Sequence, residues 1–208
     1  MSVRDWRAGF GVVDPRDKEV ISYSLWHRQN YVSAATVLLE FFQVVSSGIN
    51  GNLNLAGQLP AGYHFLVQAI RVAILADTRE TGPVLPAGGE IEGPLFDVKE
   101  LAYDGTAEFK VGDKQYGRWP IWMLPGGGGP TGLLSVPGTL TAQATAQYSV
   151  GLNGPADPRA VFTLPIPVVI PSQYNFTLRL EWDAAKTLVG GNTPICCILD
   201  GELMRPKQ

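Results

Sequence analysis

Charged residues and cysteines are scarce in this 208-residue sequence. Only 17% of its residues are charged, whereas soluble domains carry about 25%. The two cysteines, Cys196 and Cys197, are adjacent and stand in an apolar run. Because neighbouring residues of a strand point to opposite faces, a bond between them would distort the backbone. We therefore expect two reduced, buried cysteines in a protein made in a reducing compartment.

Long apolar runs are also missing. No stretch of 18 apolar residues occurs, so no transmembrane helix is expected. The first 20 residues are charged and contain no apolar core followed by a cleavage site, so no signal peptide is expected. The net charge of −3 argues against a protein whose main work is holding nucleic acid, because such proteins usually carry a basic patch.

Motifs for catalysis and metal binding are absent as well. The two histidines, His27 and His64, do not occur in any spacing typical of zinc ligands. The glycines at 126–129 precede Pro130 and Thr131 rather than the Lys-Ser/Thr pair of a phosphate-binding loop. Six carboxylates could in principle serve a glycoside hydrolase, but each also fits a solvent-facing position: Glu90, Glu92, Asp97, Glu100, Glu108 and Glu181. We expect no enzyme, no cofactor and no metal.

Glycine and proline are plentiful, with 24 and 16 residues, and they separate short strand-like segments. Eight or nine such segments, spaced by about a dozen residues, predict an antiparallel sandwich or barrel. The prolines within 159–171 place that segment at a sheet edge or in a connection. Segment 63–75 is long enough for a helix, although the preceding proline and glycine favour a strand. The segments are 35–45, 63–75, 94–105, 106–113, 114–124, 138–152, 159–171, 174–182 and 193–204.

One phrase occurs twice, as LPAGYHFLVQAI from Leu59 and as IPSQYNFTLRLE from Ile170. In each copy a proline precedes a strand, and two aromatic rings two residues apart are followed by an aliphatic residue on the same face. We expect these side chains to anchor the core or an assembly contact, together with the last residue of the second strand. They are Tyr63, Phe65, Val67, Tyr174, Phe176, Leu178 and Trp182.

The N-terminal residues 1–33 differ in style from the rest. Trp6, Phe10 and Trp26 stand among charges of both signs. Isolated aromatic residues are costly in a tail unless they dock. We therefore predict an arm over 1–33, extended or partly helical, that packs on this or a neighbouring subunit, and a folded domain over 34–208. A frayed terminus is the alternative.

The strand style and order of two regions, 34–75 and 160–183, resemble the β-jelly-roll capsid proteins of tailless icosahedral viruses and phages. The segments ATVLLEFFQ, YHFLVQAIRVAIL and LPIPVVIPSQYNFTLRLEW carry this resemblance, without an invariant motif. It implies an all-β fold, an antiparallel β-sandwich with a single jelly roll and an N-terminal arm. A compact double jelly roll is the alternative, although the length favours one roll.

The resemblance also implies a function. The chain would be a virion capsid subunit, made in the host cytoplasm, that self-associates as a trimer or higher capsomer with other capsid proteins. An internal viral membrane could lie beneath it, and no direct nucleic-acid binding is expected. The low charge agrees with this, since the cores of interfaces are depleted of charge.

A second hypothesis is a carbohydrate- or receptor-binding sandwich, such as a spike or fibre head. Trp119 and Trp122 stand just before the glycine-rich loop and could form a platform for a sugar. The same two residues also fit core or interface positions. Self-association distinguishes the two functions, because a binding module can work as a monomer.

Overall fold

The computed structural model describes residues 18–75, 94–125, 161–188 and 191–207. Several predictions fall outside these residues: the arm contacts of Trp6 and Phe10, the glycine-rich loop and the strand at 138–152.

Within these ranges the chain forms eight strands and one α-helix. The fold is therefore all-β in its main architecture, as predicted. Two four-stranded antiparallel sheets carry the strands: sheet A has the order β1-β8-β3-β6 and sheet B the order β2-β7-β4-β5. The elements are β1 Lys18–Tyr31, β2 Leu38–Phe41, β3 His64–Ile74, α1 Pro94–Tyr103, β4 Gly105–Val111, β5 Lys114–Pro120, β6 Phe162–Ile170, β7 Phe176–Trp182 and β8 Thr193–Pro206.

The strand pairs are nested along the chain. The first strand pairs with the last, β2 with β7, β3 with β6, and β4 with β5. Two further pairings, β3 with β8 and β4 with β7, join these four hairpin-like pairs into the two sheets. The path is that of one long antiparallel hairpin folded over itself, with its ends in sheet A and its tip in sheet B.

The core lies between the two sheets, and in β4 and β7 it is built by residues at every second position. In β7 the residues Phe176, Leu178, Leu180 and Trp182 are all buried. One continuous cluster joins them to inward-facing residues of β8, β3 and β4. Strict alternation with polar neighbours is what fixes this register, because a slip by one residue would turn the whole apolar set to solvent.

The repeated phrase supplies one core strand to each sheet. Phe65 of β3 and Phe176 of β7 are buried in the same cluster, each followed by a buried aliphatic residue two positions later. The tyrosines behave differently. Tyr63 packs at the edge of the cluster, and Tyr174 lies in the turn before β7 with 58% of its surface exposed. In each copy of the phrase, the residues that pack in the core therefore begin at the phenylalanine.

The predicted strand at 94–105 is wrong, because Pro94–Tyr103 forms helix α1. Proline suits the first position of a helix, since its fixed φ is already helical. Val98, Leu101 and Ala102 recur at helical spacing and pack against the core. The strand prediction rested on Phe96 and Val98, which alternate with charged residues at the start of the segment; Leu101 is out of phase with that alternation and fits the helical period instead.

The predicted arm is also corrected over its second half. Residues 18–31 are strand β1, which pairs with β8 along its whole length. Leu25, His27 and Tyr31 point into the core and are buried. The charged neighbours on the opposite face obscured this alternation in the sequence. Trp26 therefore belongs to a sheet rather than to an arm.

Two local predictions are confirmed. The segments 106–113 and 114–124 contain the β4–β5 hairpin, whose turn has Gly112 in the left-handed region with φ of 58°. The proline-rich strand β6 lies at the edge of sheet A, where Pro165 and Pro167 need not donate to a partner on both sides.

Candidate interaction surface

The outer face of sheet A is formed by the side chains that point away from the core. The strand register places Trp26 of β1, Ile198 of β8 and Arg71 of β3 in one row across the sheet. Arg28 and Cys196 occupy the next row. All five side chains are half-buried. This face combines a large indole, aliphatic groups and an arginine, which are residue types enriched at protein interfaces.

An ion pair is fixed in the middle of this face. The Arg71 guanidinium donates two hydrogen bonds to the Asp200 carboxylate, at 2.5 Å and 2.9 Å, and the Ser24 hydroxyl donates a third at 2.6 Å. Such two-pronged, charge-assisted bonds are stronger than neutral ones and hold both side chains in one geometry. Their charges are already matched within the sheet, so covering them costs less than covering an isolated charge.

The two cysteines lie on opposite faces of β8 and both are free; the expectation that both are buried is confirmed for Cys197 and is wrong for Cys196, which is half-buried. Cys197 is fully buried, and burial raises the pKa of its thiol well above the usual value. Cys196 is half-buried on the outer face. Burial raises the pKa of Cys196 as well, against the opposing influence of Arg28 and Arg71. Both thiols are therefore protonated at neutral pH and act as small apolar groups.

The outer face of sheet B is ionic instead. Glu40 of β2, Arg179 of β7, Glu108 of β4 and Arg118 of β5 occupy one row in which the charge alternates at every strand. Arg118 also lies 3.2 Å from Glu181, with both side chains about half exposed. Exposed pairs of this kind stabilise a protein weakly, by about 0–1 kcal/mol. This row has four charged residues, whereas the row of Trp26, Ile198 and Arg71 has one, so the outer face of sheet A is the better candidate for a contact surface.

The two tryptophans predicted to form a ligand platform have different surroundings. Trp119 is half-buried and packs against Phe162 of β6 with 5.5 Å between the ring centroids. Trp122 lies in a short 3-10 turn after β5 and is 53% exposed. Trp26, which was predicted to make an arm contact, lies on the outer face of sheet A.

No protein-family model, curated protein or solved structure matches the chain. In the described ranges, no group of three or more histidine, cysteine, aspartate or glutamate side chains is arranged to hold a metal ion. No helix among the same residues is long and apolar enough to cross a membrane. Function is therefore inferred from the two sheets and their outer faces.

The ion pair at the centre of sheet A was not found from the sequence. Arg71 is 129 positions from Asp200, and Ser24, which also donates to this carboxylate, is 176 positions from it, so nothing in their local context indicates that their strands are neighbours. The alternation along each strand does place Ser24 and Asp200 on the polar side. Only the pairing of β1 and β3 with β8 brings these polar side chains together.

Proposed function

We propose that this chain is a structural subunit of a virion shell, a capsid protein with a single jelly roll that acts by self-association. The nested pairing of the eight strands carries the proposal. The strands pair as β1 with β8, β2 with β7, β3 with β6 and β4 with β5. This order results when one long hairpin is rolled into two sheets. Double-sheet jelly rolls of eight strands occur in viral capsid and lectin domains.

A single roll agrees with the described strands better than a compact double roll. Strands from both sheets contribute to one core cluster, whereas two rolls would each require a core. The two copies of the repeated phrase lie in opposite sheets of the same sandwich, as β3 and β7. They are thus two walls of one core rather than equivalent strands of two domains.

The outer face of sheet A is the surface through which copies of the chain would contact one another or other capsid proteins. Trp26 and Arg71 are of the types that dominate binding energy in interfaces, and Ile198 between them adds apolar area. Closed symmetric assembly into a trimer or higher capsomer needs only such complementary patches. The virion is then its location, and no direct contact with the genome is expected.

The test is the mass of the native protein in solution, followed by negative-stain microscopy of the same sample. The proposal expects trimers or larger capsomers, and rings or shells at higher concentration. A monodisperse monomer across the whole concentration range would overturn it.

Ile198→Arg is expected to weaken self-association by about 30-fold or more, which corresponds to about 2 kcal/mol. The new guanidinium would lie beside the matched Arg71–Asp200 pair, and an interface would have to bury its unpaired charge. Sedimentation velocity over a concentration series measures the effect. Gln115→Arg, on the exposed strand β5 of sheet B, is the control with the same charge change. Equal effects of the two substitutions would show that sheet A is not the contact surface.

A carbohydrate- or receptor-binding role is the second candidate, and the exposure of Trp122 favours it. An indole has a flat apolar face and one hydrogen-bond donor, and Trp122 presents it beside the end of β5. This role expects glycan binding by a monomer, lost in Trp122→Ala with the fold intact. A glycan array probed with both proteins distinguishes it from the capsid role.

A further inference from the structure

The imidazole of His27 is buried on the inner face of β1. It is 3% exposed, and its Nδ1 accepts a hydrogen bond from the backbone N–H of Phe42 at 2.8 Å. An imidazole can accept at Nδ1 only when that nitrogen carries no proton. His27 is therefore neutral in this structure, with its proton on Nε2.

Phe42 begins the long connection from β2 to β3 in an unfavourable backbone conformation. Its φ is +70°, the left-handed region that bulky residues rarely adopt. Three contacts hold it there. Its amide donates to His27, its carbonyl accepts from the Gly57 N–H at 2.7 Å, and its buried ring packs 5.5 Å from that of Phe176. Without the His27 bond this conformation loses one of its supports.

The connection that starts at Phe42 also covers the free edge of β1. The side-chain oxygen of Asn52 accepts from the Trp26 N–H at 2.9 Å, and the Asn52 N–H donates to the Trp26 carbonyl at 3.2 Å. Gly51 forms an isolated bridge with His27. An uncovered edge strand offers unpaired backbone groups to other chains. In this structure the connection covers the edge of β1 at Trp26 and blocks such pairing.

The groups that face His27 are almost all uncharged. Phe41 and Phe42 present their rings, at 5.7 Å and 5.9 Å between centroids, and the connection presents the backbone of Gly51. From β8 the opposite residue is Cys197, the titratable group on that side, whose thiol is neutral. Among the described residues His27 forms no ion pair. Burial lowers the pKa of His27 below its usual value, because an apolar environment disfavours the charged imidazole.

We propose that His27 is a pH-sensitive latch for the segment 42–58. Protonation of Nδ1 turns the acceptor into a donor that faces the Phe42 N–H, and the bond between them is lost. The segment then opens at Phe42, and the edge of β1 at Trp26 is uncovered with it. This inference does not depend on the capsid proposal.

The direction of the pH dependence follows from linkage. The closed latch binds a proton less readily than the opened one, because the pKa of the closed imidazole is lowered from about 6.5 in an open chain. The latch is therefore fully stabilised above about pH 6.5 and weakens as the pH falls below that value. One titrating group changes the opening constant by at most about tenfold per pH unit.

Hydrogen exchange at the Phe42 amide tests the latch in the full chain. Protection factors are measured between pH 7.5 and pH 5.5 and corrected for the intrinsic pH dependence of exchange. The wild type is expected to lose protection at Phe42 by up to about tenfold per pH unit below about pH 6.5. His27→Asn keeps an acceptor close to the position of Nδ1 but cannot titrate, so its protection at Phe42 is expected to be independent of pH.

His64→Asn is the matched control. His64 is the chain's other histidine and is the first residue of β3. Its Nδ1 also accepts a backbone hydrogen bond, from the Ser172 N–H at 3.3 Å. This variant should keep the wild-type pH dependence at Phe42. Loss of that dependence in His64→Asn, or its retention in His27→Asn, would overturn the proposal.

A direct titration covers the case in which His27→Asn does not fold. In the wild-type protein, nuclear magnetic resonance of the imidazole nitrogens should show Nδ1 unprotonated at pH 7.5. It should also show His27 titrating below 6.5, together with the loss of protection at Phe42. If His27 gains its proton while Phe42 stays protected, the latch does not exist.

Discussion

Phe176→Ala is expected to lower the free energy of unfolding by about 3–5 kcal/mol, the usual cost of removing a buried phenylalanine ring. Phe176 is 1% exposed and packs on the ring of Phe42. Its backbone also receives the Gln43 side-chain amide at 2.8 Å, so the strand start is held in place and cannot collapse into the cavity. Urea unfolding of the variant and the parent at pH 7.5 measures the difference.

Tyr174→Ala is the control for this substitution. It removes a ring from the same repeated phrase, two residues earlier, but Tyr174 is 58% exposed in a turn. We expect a change within about 0.5 kcal/mol, as for most surface positions. A similar loss in both variants, or a loss below about 1 kcal/mol for Phe176→Ala, would mean that the phenylalanine is not a core anchor.

The contrast within the phrase shows what period-two patterning can predict. It found the inward face of β7 from Phe176 to Trp182, because each core residue there alternates with a polar one. It included Tyr174 only by extending the same period backwards past the turn. Gln173 has a φ of 61° and the Tyr174 N–H donates to the Pro171 carbonyl at 3.3 Å, so Tyr174 belongs to the turn, and the strand begins only at Phe176. Where a strand starts depends on turn geometry that residue types alone indicate weakly.

The missed helix and the missed edge strand have different causes. Pro94–Tyr103 is too short for its helical period to stand out from alternation, and its burial against the core decided the conformation. Strand β1 was obscured because both of its faces carry charge, with Glu19 on the inward-facing side and Arg28 on the outward-facing side, and because its inward face includes a histidine. It becomes regular only beside β8, and long-range pairing of the first strand with the last cannot be found from either segment alone.

The candidate surface and the latch both depend on such long-range pairing. Nothing in the local sequence of β1 or β8 links the two strands, and only their register places Asp200 against Ser24. His27 likewise meets Phe42 because β1 and the end of β2 are in neighbouring sheets. A buried histidine that accepts a hydrogen bond from a backbone amide has no sequence motif, so the role of His27 could not be predicted from its neighbours in the chain.

Gly201→Ala is the second substitution for which a large effect is expected. Gly201 lies in the middle of β8, opposite a bulge in β3 where the register shifts between Val67 and Ala69. The bulge pushes the β3 backbone towards β8, and a Cβ on Gly201 would overlap the carbonyl oxygen of Leu66. A glycine inside a strand often marks such a close approach. The obstacle is backbone, which cannot rotate away as a side chain can.

We expect Gly201→Ala to cost about 3 kcal/mol, at the upper end for overpacking, because β8 is the strand that joins β1 to β3 in sheet A. Urea unfolding measures the loss, and hydrogen exchange along β1 and β3 locates it. Gly48→Ala is the control: a Cβ there meets nothing within 4 Å, although the φ of +65° still costs about 1–2 kcal/mol. If Gly201→Ala is no worse than this control, the bulge must be free to move. Sheet A would then be a poor candidate for a rigid contact surface, because an interface built on a mobile sheet has to be ordered each time that it forms.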